Sequence, residues 1–261
     1  MGVFQFPELE ASQGLVKNSQ VQGEEWMAHL RPVMMNMTLR EIQFPGAYHC
    51  LSKLQNWSIT DQLRLGIRAF ESAVTYDPSK KDNTRFMVQN DKHGNPLEAF
   101  CNDIIKFVSE HVLEIVLIDF TSFNAADGGS FNFTEFAKTI DAFLGPRLIP
   151  PKHKLTLSEI WGSYDYERVI LTLDFDSFVH PSVWPRIHHI RPPEKLKDKN
   201  RLELYMDMIY HKQTLRFPYR NLYSVEFPVG GIPLKEWSKR INEHFSPQHF
   251  TAGLQNIIMT E

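Results

Sequence analysis

Short apolar runs of β character alternate along the chain with segments of helical periodicity. Residues 39–44 close on Pro45-Gly46, residues 67–76 run into a polar loop, residues 85–88 form a brief stretch, and residues 114–123 and 168–175 are strongly apolar. Residues 222–229 and 256–260 complete the predicted strands. Their apolar positions are nearly continuous, the pattern of a parallel sheet covered on both faces. Between them, residues 96–111 place Leu97, Phe100, Ile104, Phe107 and Val108 at helical spacing behind a proline, and residues 131–144 and 201–210 read likewise. A further helix is predicted over residues 234–245, after Gly230-Gly231-Ile232-Pro233. This alternation predicts an α/β fold of βα units. No repeat or Pro/Ser linker divides the chain, so one barrel domain over residues 1–261 is expected, with residues 1–25 as a lead-in. In a parallel barrel the functional groups sit at the C-terminal ends of the strands. That rule nominates residues 46–50, 71–75, 89–93, 119–123 and 174–176.

Charge and cysteine content narrow the classes of partner. A formal charge of -3 gives no electrostatic reason to expect nucleic acid. The two cysteines, Cys50 and Cys101, cannot build a disulfide framework and belong to no CxxC or Cys/His cluster, so a reducing, cytoplasmic setting is the expectation. The opening MGVFQFPELEASQG carries Glu8 and Glu10 and lacks a basic, then apolar, signal pattern. Gly2 stands where myristoylation requires it, but Phe6 replaces the Ser or Thr of that motif. The sequons at Asn36, Asn56 and Asn132 are read as chance matches. No stretch is long and apolar enough to span a bilayer, which leaves peripheral membrane contact.

Five segments then form one ordered pattern. Trp26-Met27 precedes Phe44-Pro45-Gly46, and Ile59-Thr60-Asp61-Gln62-Leu63 leads into Gly66-Ile67-Arg68-Ala69-Phe70-Glu71. IKFVSEHVLEIVLIDF at 105–120, Trp184-Pro185 behind RVILTLDF, and Asn256-Ile257-Ile258 follow. In order and spacing, over essentially the whole chain, they resemble the X domain of phosphatidylinositol-specific phospholipase C. The pattern is nearest to small single-domain X-domain proteins and to the trypanosome-type glycosylphosphatidylinositol phospholipase. The resemblance implies an irregular TIM-type (β/α) barrel, a PLC-like phosphodiesterase fold. It also implies a phosphoinositide or glycosylated phosphoinositide headgroup as ligand; no cofactor and no metal are expected.

The chemistry implied by that family needs a base on the inositol 2-hydroxyl, an acid for the departing alkoxide and a cation beside phosphorus. The first histidine belongs in a PGTHDS element, which here reads Pro45-Gly46-Ala47-Tyr48-His49-Cys50. Tyr48 therefore takes the histidine position, His49 the aspartate position and Cys50 that of a common serine. Ala73 aligns with the arginine of the family's fDlRv strand, and Asn90 with the second histidine. Tyrosine, with a pKa of about 10, is a poor base at neutral pH, and alanine and asparagine shuttle no proton. The expectation is a catalytically impaired pseudoenzyme that keeps a phosphoinositol-like cleft, with Tyr48, His49, Glu71, Ala73 and Asn90 lining one cavity. The alternative is an active phosphoric diester hydrolase using displaced His49 and His93, with Glu71. The acidic residues near strand ends are Glu71, Asp119, Asp174 and Asp176, of which Asp119 is read as hydrogen-bonded inside the barrel. Cys50 is read as a packed thiol, His188-His189 as surface residues, and the phenylalanines at 120, 123, 131, 133 and 136 as helix-to-barrel core.

Overall fold

Strand β5 (Val116–Ala125) begins with five consecutive buried residues and then alternates, so its first half is covered on both faces and its second half rises out of the core. The same logic produces β6 (Val169–Leu173), which is buried throughout. The computed structural model describes residues 23–42, 44–47, 49–51, 57–90, 93–151, 155–163, 166–175, 180–192, 199–212, 222–227 and 257–260. The remaining strands are β1 (Phe44–Ala47), β2 (Ala69–Tyr76), β3 (Phe86–Asn90), β4 (His93–Pro96), β7 (Val183–Trp184), β8 (His188–Ile190), β9 (Tyr223–Phe227) and β10 (Ile257–Thr260). The helices are α1 (Trp26–His29), α2 (Arg31–Met34), α3 (Ile59–Arg64), α4 (Leu97–Glu110), α5 (Phe133–Leu144), α6 (Leu157–Ser163) and α7 (Lys199–Lys212). The helix expected over residues 234–245 and residues 1–22 of the lead-in lie outside the described residues.

Eight parallel strands run in the order β7-β6-β5-β2-β1-β10-β9-β8, and β3 and β4 extend β2 as an antiparallel hairpin. The two edges of this sheet are neighbours in sequence, since Trp184 ends β7 and His188 begins β8. A flat sheet with strands ~4.8 Å apart would separate its edges by about 34 Å. The link from Trp184 to His188 spans at most about 14 Å even when extended. The sheet must therefore roll up, as a β/α barrel does.

Two apolar clusters hold it. One lies between the sheet and helices α3, α4 and α5, and joins Phe70, Val74 and Ile118 to Leu63, Phe100 and Ile140. The other fills the barrel's lower interior, joining Phe44, Ala69, Leu117, Ile170 and Leu222 to Met27 of α1 and Ile160 of α6. The residues expected to anchor the strands, Phe44, Val74, Val88, Leu117 and Leu171, are all fully buried.

Strand β1 starts later than expected and contains Pro45-Gly46 rather than ending before them. Proline is tolerated because its carbonyl still accepts the Arg68 N–H at 2.8 Å, while the nearby Gly66 carbonyl accepts the Trp26 indole N–H at 3.2 Å. Strands β4, β7 and β8 and helices α3 and α6 were not predicted, being too short to establish a period. Helix α3 instead announces itself through its cap, with Ser58 accepting the Asp61 N–H at 3.1 Å.

Helix α5 is capped by Asn132, whose side chain accepts the Glu135 N–H at 3.0 Å. Glu135 also receives Arg85 at 2.8 Å and the Tyr76 hydroxyl at 3.0 Å. The Arg85 hydrogen bond, above all, holds its carboxyl below the ordinary value. A depressed carboxylate contributes stability that is full above its unfolded pKa of about 4.3 and is lost as pH falls through the lower folded value. Glu135→Gln is therefore expected to lower the melting temperature slightly at neutral pH and to leave it unchanged in strong acid. Thermal melts across that range check this, and an equal loss at both ends would contradict it.

Candidate functional site

Two residues up from the apolar interior, the strands turn polar. Ala69, Leu117 and Ile170 share a level in the lower core, and the next inward positions, in register, are Glu71, Asp119 and Thr172. All three are buried, as is Ser224 of β9, which pairs in register with His189 of β8. A buried carboxylate is tolerated only with partners. Asp119 accepts the Thr172 hydroxyl at 2.7 Å on one oxygen. Its other oxygen lies 2.9 Å from His189 Nε2, an ion-pair contact not aligned as a hydrogen bond. Glu71 Oε1 accepts the Thr121 hydroxyl at 2.9 Å and Arg191 Nη2 at 3.3 Å. Thr121 stands at the β-bulge between β2 and β5, where the register shifts beside Ser72 and Ala73.

The segment from β7 through β8 supplies the opposite wall by strand alternation. Ile187 packs in the interior cluster, His189 reaches Asp119 and Arg191 reaches Glu71. Arg186 meets Asp174, beyond the end of β6, at 3.2 Å. The third wall is the loop after β1. His49 has a positive φ of 50°, in the left-handed region that non-glycine residues rarely occupy. The next residue anchors the turn: the Cys50 N–H donates to the Glu71 carbonyl at 3.1 Å, and the Cys50 carbonyl accepts Gln62 Nε2 at 2.8 Å. The Cys50 side chain is fully buried, and desolvation pushes its thiol far above the ordinary value. It is a packed thiol, not a nucleophile.

These walls enclose a cleft of about 440 Å³ at the C-terminal end of the barrel, where His49, Glu71, Thr121, Asp174, Arg186 and Arg191 are among the lining residues. Of the expected cavity residues, His49 and Glu71 are in it. Ala73 is half-buried on the same face of β2 as Glu71, two positions on, with Gln89 and Ser122 as register partners. Asn90 lies one step beyond Gln89 and pairs with His93 at the tip of the β3–β4 hairpin. The backbone register thus carries both toward the mouth; the Asn90 side chain, and all of Tyr48 and Asp176, fall outside the described residues.

One expectation is corrected. His188-His189 were read as surface residues, but the His189 side chain is only 12% exposed and faces a buried carboxylate. Thr121 was included only within the nominated stretch 119–123, and Arg186 and Arg191 were not singled out. Their available signal was the cation-apolar alternation Arg186-Ile187-His188-His189-Ile190-Arg191, behind Trp184-Pro185. Among the described residues, no group of three or more His, Cys, Asp or Glu side chains converges to hold a metal ion. Phe120 and Phe136 are buried in the core, as expected, with Phe123 and Phe131 packed against it. Phe133 continues outward, stacked on Phe175 at 3.8 Å.

No family profile matches the chain. A human protein, PI-PLC X domain-containing protein 2, is 23% identical over 208 residues, covering 66% of this chain and 67% of that protein. The fold is that of the phosphatidylinositol-specific phospholipase C from Staphylococcus aureus, with a TM-score of 0.65 at 14% identity over 92% of this chain and 91% of the other. The enzyme from Listeria monocytogenes gives a TM-score of 0.60 at 10% identity, covering 92% and 93%. The calcium-dependent enzyme from a Pseudomonas species gives 0.53 at 13% identity, covering 87% and 91%. The fold is thus that of the phosphatidylinositol-specific phospholipases C, and over about two thirds of its length the sequence is similar to a PI-PLC X domain-containing protein.

Proposed function

We propose that this protein binds a phosphoinositol-type headgroup, of phosphatidylinositol or its glycosylated form, in the cleft at the barrel mouth, and that it is impaired as a phosphodiesterase. The observation that carries the reading is the cleft itself. It gathers two arginines and His49 with the carboxylates of Glu71 and Asp174 and the hydroxyls of Thr121 and Ser122, the groups that a phosphate and a ring of hydroxyls pair with. Impairment is supported by Ala73, which leaves β2 without a cation where the family pattern has arginine, and by Tyr48 and Asn90 at the histidine positions. Losing one proton-transfer group costs about 10²- to 10⁴-fold. Peripheral membrane contact fits this reading: among the described residues no helix is long and apolar enough to cross a membrane, and the Staphylococcus aureus relative binds membranes.

The test is to incubate the purified protein with phosphatidylinositol vesicles, measuring co-sedimentation and released inositol phosphates with and without calcium. Binding without turnover is the expected result. The second reading, an active phosphoric diester hydrolase with displaced groups, is favoured by His49, which the turn after β1 carries into the cleft. Robust turnover, abolished by His49→Ala or His93→Ala, would establish it and overturn the impairment. Failure to bind phosphatidylinositol vesicles above phosphatidylcholine vesicles would overturn the headgroup reading.

A further inference from the structure

We propose that residues 186–191 form the anion-binding element of the cleft, with Arg186 and Arg191 holding the phosphate ester of the ligand, and with the carboxylates of Asp174 and Glu71 standing in for that phosphate in the unliganded protein. The inference rests on the headgroup reading above and narrows it to particular side chains. Three basic side chains of this one segment contact carboxylates, in three different places. Arg191 reaches Glu71 of β2 at 3.3 Å, His189 reaches Asp119 of β5 at 2.9 Å, and Arg186 reaches Asp174 beyond β6 at 3.2 Å.

The three contacts are not equivalent. His189 and Asp119 are 12% and 1% exposed, so that pair is enclosed and belongs to the floor. The Arg186 and Arg191 side chains are each 47% exposed and open to the cleft. Arg186 Nη1 meets Asp174 Oδ1 and Arg191 Nη2 meets Glu71 Oε1 at the cleft. The Arg186–Asp174 pair is exposed on both sides and adds little to stability, whereas Arg191 meets a carboxylate that is only 2% exposed. A guanidinium can give a phosphate two parallel N–H bonds and meets there more negative charge than one carboxylate carries.

The wild-type arrangement is therefore a competition within the cleft: an incoming phosphate must take each arginine from a carboxylate. When Arg191 turns to the ligand, Glu71 keeps the Thr121 hydroxyl and gains an opening for a ligand hydroxyl. A phosphorylated polyol satisfies both requirements, with its phosphate on the arginines and a hydroxyl on Glu71.

Competition predicts opposite signs for substitutions on the two sides of a pair, whereas a purely structural ion pair predicts loss from either. Calorimetric titration of the full chain with inositol 1-phosphate and with inorganic phosphate, alongside vesicles of phosphatidylinositol or phosphatidylcholine, reads this directly. Arg191→Gln and Arg186→Gln are each expected to weaken inositol 1-phosphate binding at least tenfold, Arg186→Gln with little change in melting temperature. Asp174→Asn, at a position 41% exposed, is expected to tighten it at least threefold. Preference for inositol 1-phosphate and phosphatidylinositol vesicles over inorganic phosphate supports a headgroup source. Equal affinity for inorganic phosphate keeps the element and removes the headgroup. If wild type binds inositol 1-phosphate but the arginine variants bind equally well, or Asp174→Asn weakens binding, the inference fails while the headgroup reading stands. If neither wild type nor Asp174→Asn binds any of these probes, both fall.

Discussion

Arg68→Met is expected to lower the free energy of unfolding by about 3–5 kcal/mol, the cost of stranding a buried charge. The resulting fall in melting temperature is roughly 6–20 °C, from the usual 2–4 °C per kcal/mol for a chain of about this size. Arg68 is fully buried just ahead of β2, and its guanidinium is used completely. Nε donates to Glu114 at 2.9 Å, Nη1 to the carbonyls of Leu63 at 2.7 Å and Ile67 at 2.9 Å, and Nη2 to those of Gly23 at 3.0 Å and Glu24 at 2.8 Å. The same group lies 4.6 Å over the Phe107 ring. Glu114, just ahead of β5, accepts in addition the Ala28 N–H at 3.0 Å. One side chain thus ties the lead-in, the end of α3 and the feet of two strands together at the N-terminal end of the barrel, the end that governs stability rather than chemistry. Burial lowers the pKa of Arg68 and raises that of Glu114 against the opposing pull of the partner charge. Each charge is costly there without the other. Arg68→Met with Glu114→Leu should consequently be less harmful than Arg68→Met alone, because no carboxylate is left uncompensated. Thermal unfolding followed by circular dichroism decides it, and a single-variant loss below about 1 kcal/mol would place the pair among ordinary surface bridges.

How far the sequence could be read follows from where polar groups sit. Helix α4 and strand β5 were legible because their apolar residues recur at 3.6-residue and near-continuous spacing. Glu71 and Asp119 were legible too, since a carboxylate inside Phe70-Glu71-Ser72 or Val116-Leu117-Ile118-Asp119-Phe120 breaks an otherwise buried run and must have a partner. The partners were not legible. Arg191 lies 120 positions from Glu71, and only the rolling of the sheet brings β8 across from β2. His189 was misread for a related reason. It occupies the inward position of a three-residue strand whose other inward neighbours are Ile187 and Arg191, so that face carries one apolar side chain, an imidazole and a guanidinium, and hydropathy reads it as solvent-facing. A barrel whose interior turns polar toward its mouth hides its strands where function concentrates.

Returning the family's groups to this scaffold should restore chemistry only when all are present. Tyr48→His, His49→Asp, Ala73→Arg and Asn90→His together are expected to produce phosphatidylinositol cleavage above the wild-type background, while each alone changes almost nothing. Acid, base and cation act as a unit, so single losses and single gains are grossly non-additive. The described backbone favours the attempt at three of the positions. Aspartate tolerates the left-handed conformation that His49 adopts. An arginine at the half-buried position 73 extends from the same face of β2 as Glu71, beside the Thr121 bulge. A histidine at 90 sits one register step from the Ala73–Gln89 pair, within reach of a new arginine. The added cation also changes the balance of the cleft, because Glu71 would then have two arginines to choose between, which frees Arg191 for the phosphate. Released inositol phosphates measured with the single variants, the quadruple variant and the quadruple variant carrying Arg191→Gln separate these contributions. Turnover in the quadruple variant that collapses on Arg191→Gln means that the two cations serve the same phosphate. A folded quadruple variant that binds inositol 1-phosphate yet stays inert would show that Tyr48 and Asn90 do not stand where the family places its histidines, and the basis for calling the wild-type site impaired would go with them.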